Sequence, residues 1–428
     1  MKGNRRAIIA WSMYDWANSV YITTVATAFF PVFFKKFWCY GDTTLSTERL
    51  GIGNTAAGIA IAVLSLFLGA LADTGRDKKK LLGIFMLCGV VSTCLLDVIS
   101  RGEWMFALVV FSVANVGFSI SCLFYDSLLV DVAEKKEMDF VSSLGFAMGY
   151  LGGGLLFALN LIMVLKPSFF GFHDQTQSVR FSFLSVGAWW VVFTIPLFVF
   201  VKYRRYADVS GATAIIADSL VRLWHTAKKI IQRRELLLFL VAYWLYYDGV
   251  VTFIRMAEDF GLSIGVTVNT SLIALLAVQF VALPSSLLFG WLSTYFGPRR
   301  MIIAGITIYL LVIGLGVFVL TKPFHFIILA CLVALAQGGV QALSRSYFGK
   351  LVPKAEAAEY FGFYNVVGRF AIIGPAMVGI ITALLHGHGT ESVMSSRIGM
   401  ASTALLFFFG GLLLVRADQA VARKGEAS

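Results

Sequence analysis

The chain has 428 residues, of which 58% are apolar and only 14% charged, with a mean hydropathy of +0.81 and a net charge of +11. Roughly a quarter of the residues in an ordinary soluble domain are charged, so these figures exclude a water-soluble enzyme, a disordered chain and a secreted disulfide scaffold. What remains is an integral membrane protein whose basic excess is owed either to its topology or to a ligand.

The apolar residues fall in uninterrupted runs of the length that helices need, about 20 residues, and not in the ~10-residue alternation of barrel strands. The first run spans roughly 7–34 and carries Asp15 and Asn18; it is too long for the apolar region of a signal peptide and is expected to stay as the first helix. Runs follow at roughly 51–72, 81–99, 104–130, 143–165 and 181–201. The one long polar stretch comes next, 202–235, with eight basic residues from Lys202 to Arg234. Beyond it the runs resume at roughly 236–254, 267–291, 301–320, 324–348, 360–385 and 397–415. The expected architecture is all-α, with twelve transmembrane helices in two pseudo-symmetric six-helix bundles, 1–201 and 236–428, joined by the basic linker 202–235.

With the N-terminus inside, 25 of the 35 Lys and Arg fall on cytoplasmic segments. That asymmetry is the positive-inside rule; it puts both termini in the cytoplasm and explains the charge without nucleic acid. Of the five Cys, only Cys39 falls in an outside loop, so no disulfide is expected there. The five His form no metal motif, and no phosphate-cradling Gly-x-x-x-x-Gly-Lys loop is present, so no metal, cofactor or ATP-driven step is expected. The chain does not read as an enzyme.

Internal repetition supports two homologous halves. Trp11-x-x-Tyr14-Asp15-x-x-x-Ser19 in the first run matches Trp244-x-x-Tyr247-Asp248-x-x-x-Thr252 in the seventh. Tyr125-x-x-x-Leu129-Val130 matches Tyr347-x-x-x-Leu351-Val352, and Gly145-Phe146 matches Gly362-Phe363. Each pair joins run n to run n+6. After the second run comes Gly69-Ala-Leu-Ala-Asp73-Thr-Gly75-Arg76, and after the eighth Gly290-Trp-Leu-Ser-Thr294-Tyr-Phe-Gly297 followed by Arg299 and Arg300. Both resemble the Gly-x-x-x-Asp-Arg-x-Gly-Arg-Arg loop of the major facilitator superfamily, where glycines make a tight cytoplasmic turn. The first copy lacks the Arg after Asp73, and the second has Thr294 at the Asp position.

Trp11–Ser19, Gly145–Gly154, Tyr243–Thr252, Gln337–Ser346 and Glu359–Gly379 together are similar to one branch of that superfamily. This is the "unknown major facilitator" family, whose eukaryotic relatives are autophagy-related vacuolar effluxers of amino acids. The resemblance covers nearly the whole chain and implies a secondary transporter working by alternating access, with small amino acids as cargo.

Intramembrane charge is the most informative feature for a site. A carboxylate at mid-bilayer costs ~2.5–3.5 kcal/mol on insertion scales, so it faces a cavity or a partner. Asp15 and Asp248 are such groups, expected to bind a substrate ammonium or a coupling proton, or else to hold helix pairs together. Tyr14 and Asn18 accompany the first and Tyr247 the second. Arg369 is the one deep basic group and could clamp a carboxylate or pair internally. Gln279, Gln337, Gln341 and Asn365 are neutral polar groups in apolar runs that could bind cargo or a neighbouring helix. A cytoplasmic gate is expected from Gly69, Asp73, Gly75, Arg76, Asp126, Gly290, Gly297 and Arg345.

These readings converge on an amino-acid or small-zwitterion effluxer, proton-linked and monomeric, in a bacterial inner membrane. The alternative is an exporter of cationic or amphipathic compounds, bound by the two Asp and by aromatic side chains.

Overall fold

A computed structural model describes residues 5–40, 43–73, 77–202, 214–263, 267–319, 323–369, 373–388 and 390–425. The regular structure among them is helical throughout. In chain order the first half gives α1 (Arg5–Trp38), α2 (Thr43–Asp73), α3 (Lys78–Leu95), α4 (Trp104–Val132), α5 (Met138–Leu165) and α6 (Gln175–Phe200). The linker contributes α7 (Ala214–Gln232). The second half gives α8 (Arg234–Ser263), α9 (Val268–Phe296), α10 (Pro298–Val319), α11 (Pro323–Leu351), α12 (Ala357–Arg369), α13 (Ile373–Gly387), α14 (Ser392–Ala401) and α15 (Ala404–Gly425).

Among the described residues, eleven stretches are long and apolar enough to cross a membrane; Lys354–Gly387 takes in α12 and α13, and Met394–Ala417 joins α14 to α15. The remaining expected span corresponds to α3, an 18-residue helix that opens on Lys78-Lys79-Lys80. Its start is fixed by Asp77, whose side chain accepts the N–H groups of Lys79 and Lys80. Large apolar side chains such as Ile59, Val63, Ile84 and Phe106 are exposed, as an acyl-chain solvent requires.

The first helix runs past its expected end because it widens. Pro31 has no N–H, and its ring crowds the carbonyl one turn earlier. The chain on either side, Tyr21–Phe29 and Phe34–Trp38, adopts wider π-helical turns. Gly297 ends α9 at φ +81°, a conformation that favours glycine, so the expected tight turn there is present.

Two compact units result. The first comprises Met1–Glu134, Met148–Leu223 and Pro353–Phe363; the second comprises Lys135–Ala147, Trp224–Val352 and Tyr364–Ser428. In the first, α1 packs on α6, α4 on both α2 and α3, and α3 on α6. In the second, α8 packs on α15, α11 on both α9 and α10, and α10 on α15. Counting each helix by the expected run it corresponds to, these are the same four pairings advanced by six.

Individual contacts repeat too. Lys79, at the start of α3, donates to the carbonyls of Phe198 and Val201 at the end of α6, 2.8 and 2.7 Å away. Arg299, at the start of α10, donates to the Val415 carbonyl of α15 at 3.0 Å. Lys79 thereby satisfies carbonyls at the C-terminal end of α6, where the helix dipole favours a cation, whereas the acceptor of Arg299 lies mid-way along α15.

One close backbone approach in the first unit lies between α3 and α4. A Cβ on Gly117 would stand 2.6 Å from the Gly89 nitrogen and 2.7 Å from the Phe85 carbonyl oxygen. Both neighbours are backbone and cannot rotate away. Gly117→Ala is therefore expected to destabilise by about 1–3 kcal/mol. Gly411→Ala, whose new Cβ meets nothing nearer than 3.6 Å, is expected to leave stability near wild type. Thermal unfolding of the two purified variants checks both.

Candidate functional site

Each unit holds a carboxylate at the place the repeat assigns it. In the first unit Asp15 is half-buried, and its Oδ2 accepts the Tyr125 hydroxyl at 2.7 Å. Tyr125 is itself fixed from three sides. Its carbonyl accepts the Trp11 indole N–H at 3.0 Å, and its ring stacks on Trp11 at 4.3 Å and tilts against Tyr14 at 5.0 Å. A rigid, buried phenol therefore presents its hydroxyl to Asp15. From the other side α5 comes close because it has no side chain there: a Cβ on Gly149 would stand 2.5 Å from Ser19 Oγ, and one on Gly152 2.5 Å from the Trp16 carbonyl oxygen.

Tyr14 is wholly enclosed and Asn18 is 3% exposed, so the face expected to look into a cavity carries only Asp15 and Ser19 half-open. The Nδ2 of Asn18 is buried with no hydrogen-bond partner.

In the second unit Asp248 is 1% exposed. Its Oδ2 accepts the Ile373 N–H at 2.9 Å, and its Oδ1 accepts the Gly374 N–H at 3.1 Å and the Thr252 hydroxyl at 3.1 Å. Ile373 and Gly374 are the first two residues of α13, where free N–H groups and the helix dipole favour a negative charge. Gly374 must be small, since a Cβ would stand 2.0 Å from Thr252 Oγ1. Asp248 is thus a satisfied carboxylate joining α8 to α13, and Asp15 is a half-open one.

The other expected site residues divide. Tyr243 is stacked between Tyr364, at 4.3 Å, and Tyr247, at 4.9 Å, so these rings fill one another's faces. Tyr247, Gln337, Gln341 and Asn365 are half-buried, and Gln279 is 6% exposed. Arg369 closes α12, but its side chain lies outside the described residues, as do Gly75 and Arg76.

Two polar networks tie the sequence halves together. The first joins the start of α5 to the end of α11. Asp139 accepts the Ser346 hydroxyl at 2.7 Å and pairs with Lys350 at 2.6 Å. Arg345, 4% exposed, donates from Nε to Ser142 Oγ and from Nη2 to the Ser142 carbonyl, both at 2.9 Å, and its guanidinium lies over the Phe146 ring at 4.4 Å. Gly290 closes against the same helix, where its Cβ would meet that of Ser143 at 2.5 Å.

The second network joins α2 to α12. Asp73 pairs with buried Lys78 at 2.9 Å and accepts the Glu359 N–H at 2.7 Å. Gly69 is pressed against the Ala358 carbonyl, 2.6 Å from where a Cβ would be. Asp126 is half-buried on α4. Asp139, Ser142, Ser346, Lys350 and Tyr125 were not expected as functional. Two of them carried a signal: Tyr125 through its repeat with Tyr347, and Ser346 as the end of the Gln337–Ser346 block.

A carboxylate on α1, its repeat on α8, and polar clasps at the helix ends are the geometry against which the comparisons with known proteins stand. A family model described as "Vacuole effluxer Atg22 like" matches residues 56–427. The chain belongs to that family. It is 40% identical over 390 residues to the "Uncharacterized MFS-type transporter YxiO" of Bacillus subtilis (strain 168), covering 90% of each chain. It is 23% identical over 503 residues to "Autophagy-related protein 22" of Coccidioides immitis (strain RS), covering 89% of this chain and 82% of that one. The fold is similar to that of the major facilitator superfamily proton:xylose symporter XylE, with a TM-score of 0.67 at 13% identity over 95% of this chain and 94% of that one. This family member is therefore an integral membrane transporter of the major facilitator type, and not an enzyme.

Proposed function

We propose that this protein is a proton-linked effluxer of amino acids or similar small zwitterions, with twelve spans, both termini cytoplasmic, in a bacterial cytoplasmic membrane. The observation that carries the reading is the difference between the two repeated carboxylates. Asp15 is half-open and braced by the Tyr125 hydroxyl, which suits a site that takes and releases an ammonium group. Asp248 is enclosed by three donors, two of them N–H groups at the start of α13, so its negative charge and the position of α13 support one another.

Arg369 serves as the partner for a substrate carboxylate, and Gln337, Gln341, Asn365, Tyr247 and Gln279 line the path. The Asp139–Lys350, Arg345–Ser142 and Asp73–Glu359 contacts act as the cytoplasmic gate, with Gly69 and Gly290 allowing the close approach and Gly297 making the turn after α9. The family name "Vacuole effluxer" supports efflux. The stacking of Tyr243, Tyr247 and Tyr364 on one another leaves few open ring faces for a lipophilic cation, which favours a zwitterion over the alternative exporter reading.

Reconstituted in liposomes with a pH-sensitive dye inside, the protein is expected to move protons when one or more amino acids are supplied, and Arg369→Ala is expected to abolish the response. A flat response to all amino acids, with proton movement driven by cationic dyes, would replace this reading with the exporter one.

A further inference from the structure

Behind the Asp15 site, α1, α4 and α6 of the first unit meet at a second polar point. On α1 the Tyr14 hydroxyl is buried with no hydrogen-bond partner, and on α6 the Trp190 indole N–H is buried with none either. The two are neighbours: the Tyr14 hydroxyl stands beside the Trp190 indole and the Ser121 hydroxyl of α4, and bonds to neither. Tyr14, Ser121 and Trp190 are all 0% exposed, so bulk solvent does not reach them.

Packing holds these side chains where they are. A Cβ on Gly89 would stand 2.9 Å from the outer edge of the Trp190 indole, so that ring is wedged against α3 where only a glycine admits it. The same ring tilts against Tyr21 at 5.7 Å and meets Phe118 edge-on at 6.0 Å. Tyr14 tilts against Tyr125 at 5.0 Å. The Ser121 hydroxyl donates to the Phe118 carbonyl at 2.8 Å, which leaves its oxygen able to accept. A buried donor without an acceptor is costly, and the surrounding hydrocarbon offers none. Two such donors side by side, with an acceptor next to them, supply the two to four polar partners that an enclosed water needs.

We propose that this point binds one internal water molecule. The water accepts the Trp190 Nε1–H and the Tyr14 O–H on its two lone pairs and donates one hydrogen to Ser121 Oγ. It thereby joins α1, α4 and α6 through groups that make no bond to one another. Tyr14 lies against the Tyr125 ring whose hydroxyl braces Asp15, so the water steadies the rear of that carboxylate's support. The site depends on neither the cargo nor its coupling.

The test is a structure of the full-length protein in lipid, at a resolution where enclosed waters are visible elsewhere in the molecule. The expected result is a density peak within hydrogen-bond distance of Tyr14 Oη, Ser121 Oγ and Trp190 Nε1. No peak there, with other enclosed waters seen, would overturn the proposal. A peak that scatters anomalously once bromide replaces chloride would overturn it in favour of an anion site. Thermal unfolding gives a second reading. Tyr14→Phe keeps the ring and is expected to lower the unfolding temperature, because it takes one partner from the water. Deleting a hydroxyl that bonds to nothing would leave that temperature unchanged or raise it, and either result would count against the water. Ser121→Ala is expected to lower it too, and the double variant to lose less than the sum of the two, since both remove contacts of one molecule. Strictly additive losses would rule out a shared water.

Discussion

Replacing Asp248 by alanine is expected to abolish transport and to lower the unfolding temperature, whereas Asp15→Asn is expected to abolish transport and leave the unfolding temperature near that of wild type. The two carboxylates occupy equivalent places in the repeat, so a purely electrostatic role would make their variants alike. Their surroundings differ. Asp248 satisfies the Ile373 and Gly374 N–H groups and the Thr252 hydroxyl, and no bulk water is available at that depth to replace it. Stranding a buried donor costs about 1–3 kcal/mol, so losing the acceptor of two N–H groups at once costs about 2–6 kcal/mol. Asp248→Asn is expected to fall between, because one amide oxygen still accepts while its NH2 faces a backbone donor. Asp15 is half-buried, and its asparagine can still accept the Tyr125 hydroxyl, so the fold persists while the negative charge is gone. Proton flux in liposomes and thermal unfolding in detergent, measured on the same preparations, separate the two. An Asp248→Ala protein with an unchanged unfolding temperature would show that α13 does not depend on this carboxylate.

Most of the fold was legible in the sequence because the bilayer imposes a single length on its helices. The runs at 104–130, 143–165 and 181–201 correspond to α4, α5 and α6 with ends displaced by a few residues. Displacements are larger where the hydrocarbon no longer constrains composition: α2 begins at Thr43, through a polar turn with Ser46 and Glu48, well before the apolar run at 51. The match of Trp11–Ser19 to Trp244–Thr252 was a sound guide, since the helix pairings repeat with the same step of six.

The site was only half legible. Asp15, Asp248 and Arg345 announce themselves as charges in apolar surroundings. Their partners do not. Tyr125 lies 110 positions from Asp15 and its repeat with Tyr347 does not say what its hydroxyl meets, and the donors to Asp248 are backbone N–H groups, which have no signature in side-chain identity. Asn18 and Tyr14 share the helix face of Trp11, and the periodicity could not tell which side of that helix a neighbouring bundle member would cover. The structure puts that face, and not the Asp15 edge, in the interior of the first unit.

Arg345→Ala is expected to cut the transport rate at least tenfold and to expose the start of α5 to aqueous reagents. The guanidinium makes two bonds to Ser142, to its hydroxyl and its carbonyl, and its flat face rests on Phe146. Lysine has neither the fork nor the plane, so Arg345→Lys is expected to fail nearly as badly. Hydrogen bonds to a charged group are worth about 1.5–3 kcal/mol each, so losing two is enough to invert an equilibrium between two carrier states that differ by a few kcal/mol. The neighbouring pair gives an independent check. Asp139 and Lys350 are 2.6 Å apart and on different halves of the sequence, so Asp139→Asn and Lys350→Ala should be less than additive, with a coupling of about 0.5–3 kcal/mol. A cysteine at Ser143, a position wholly buried beside Gly290, reports the outcome through its alkylation by a membrane-impermeant maleimide: slow in the parent, fast in the Arg345 and Asp139 variants. If alkylation stayed slow while transport was lost, Arg345 would act on the cargo and not on the gate. If both stayed at parental values, the network would be packing alone, and the closure of this end would have to rest on Asp73 and the Glu359 N–H.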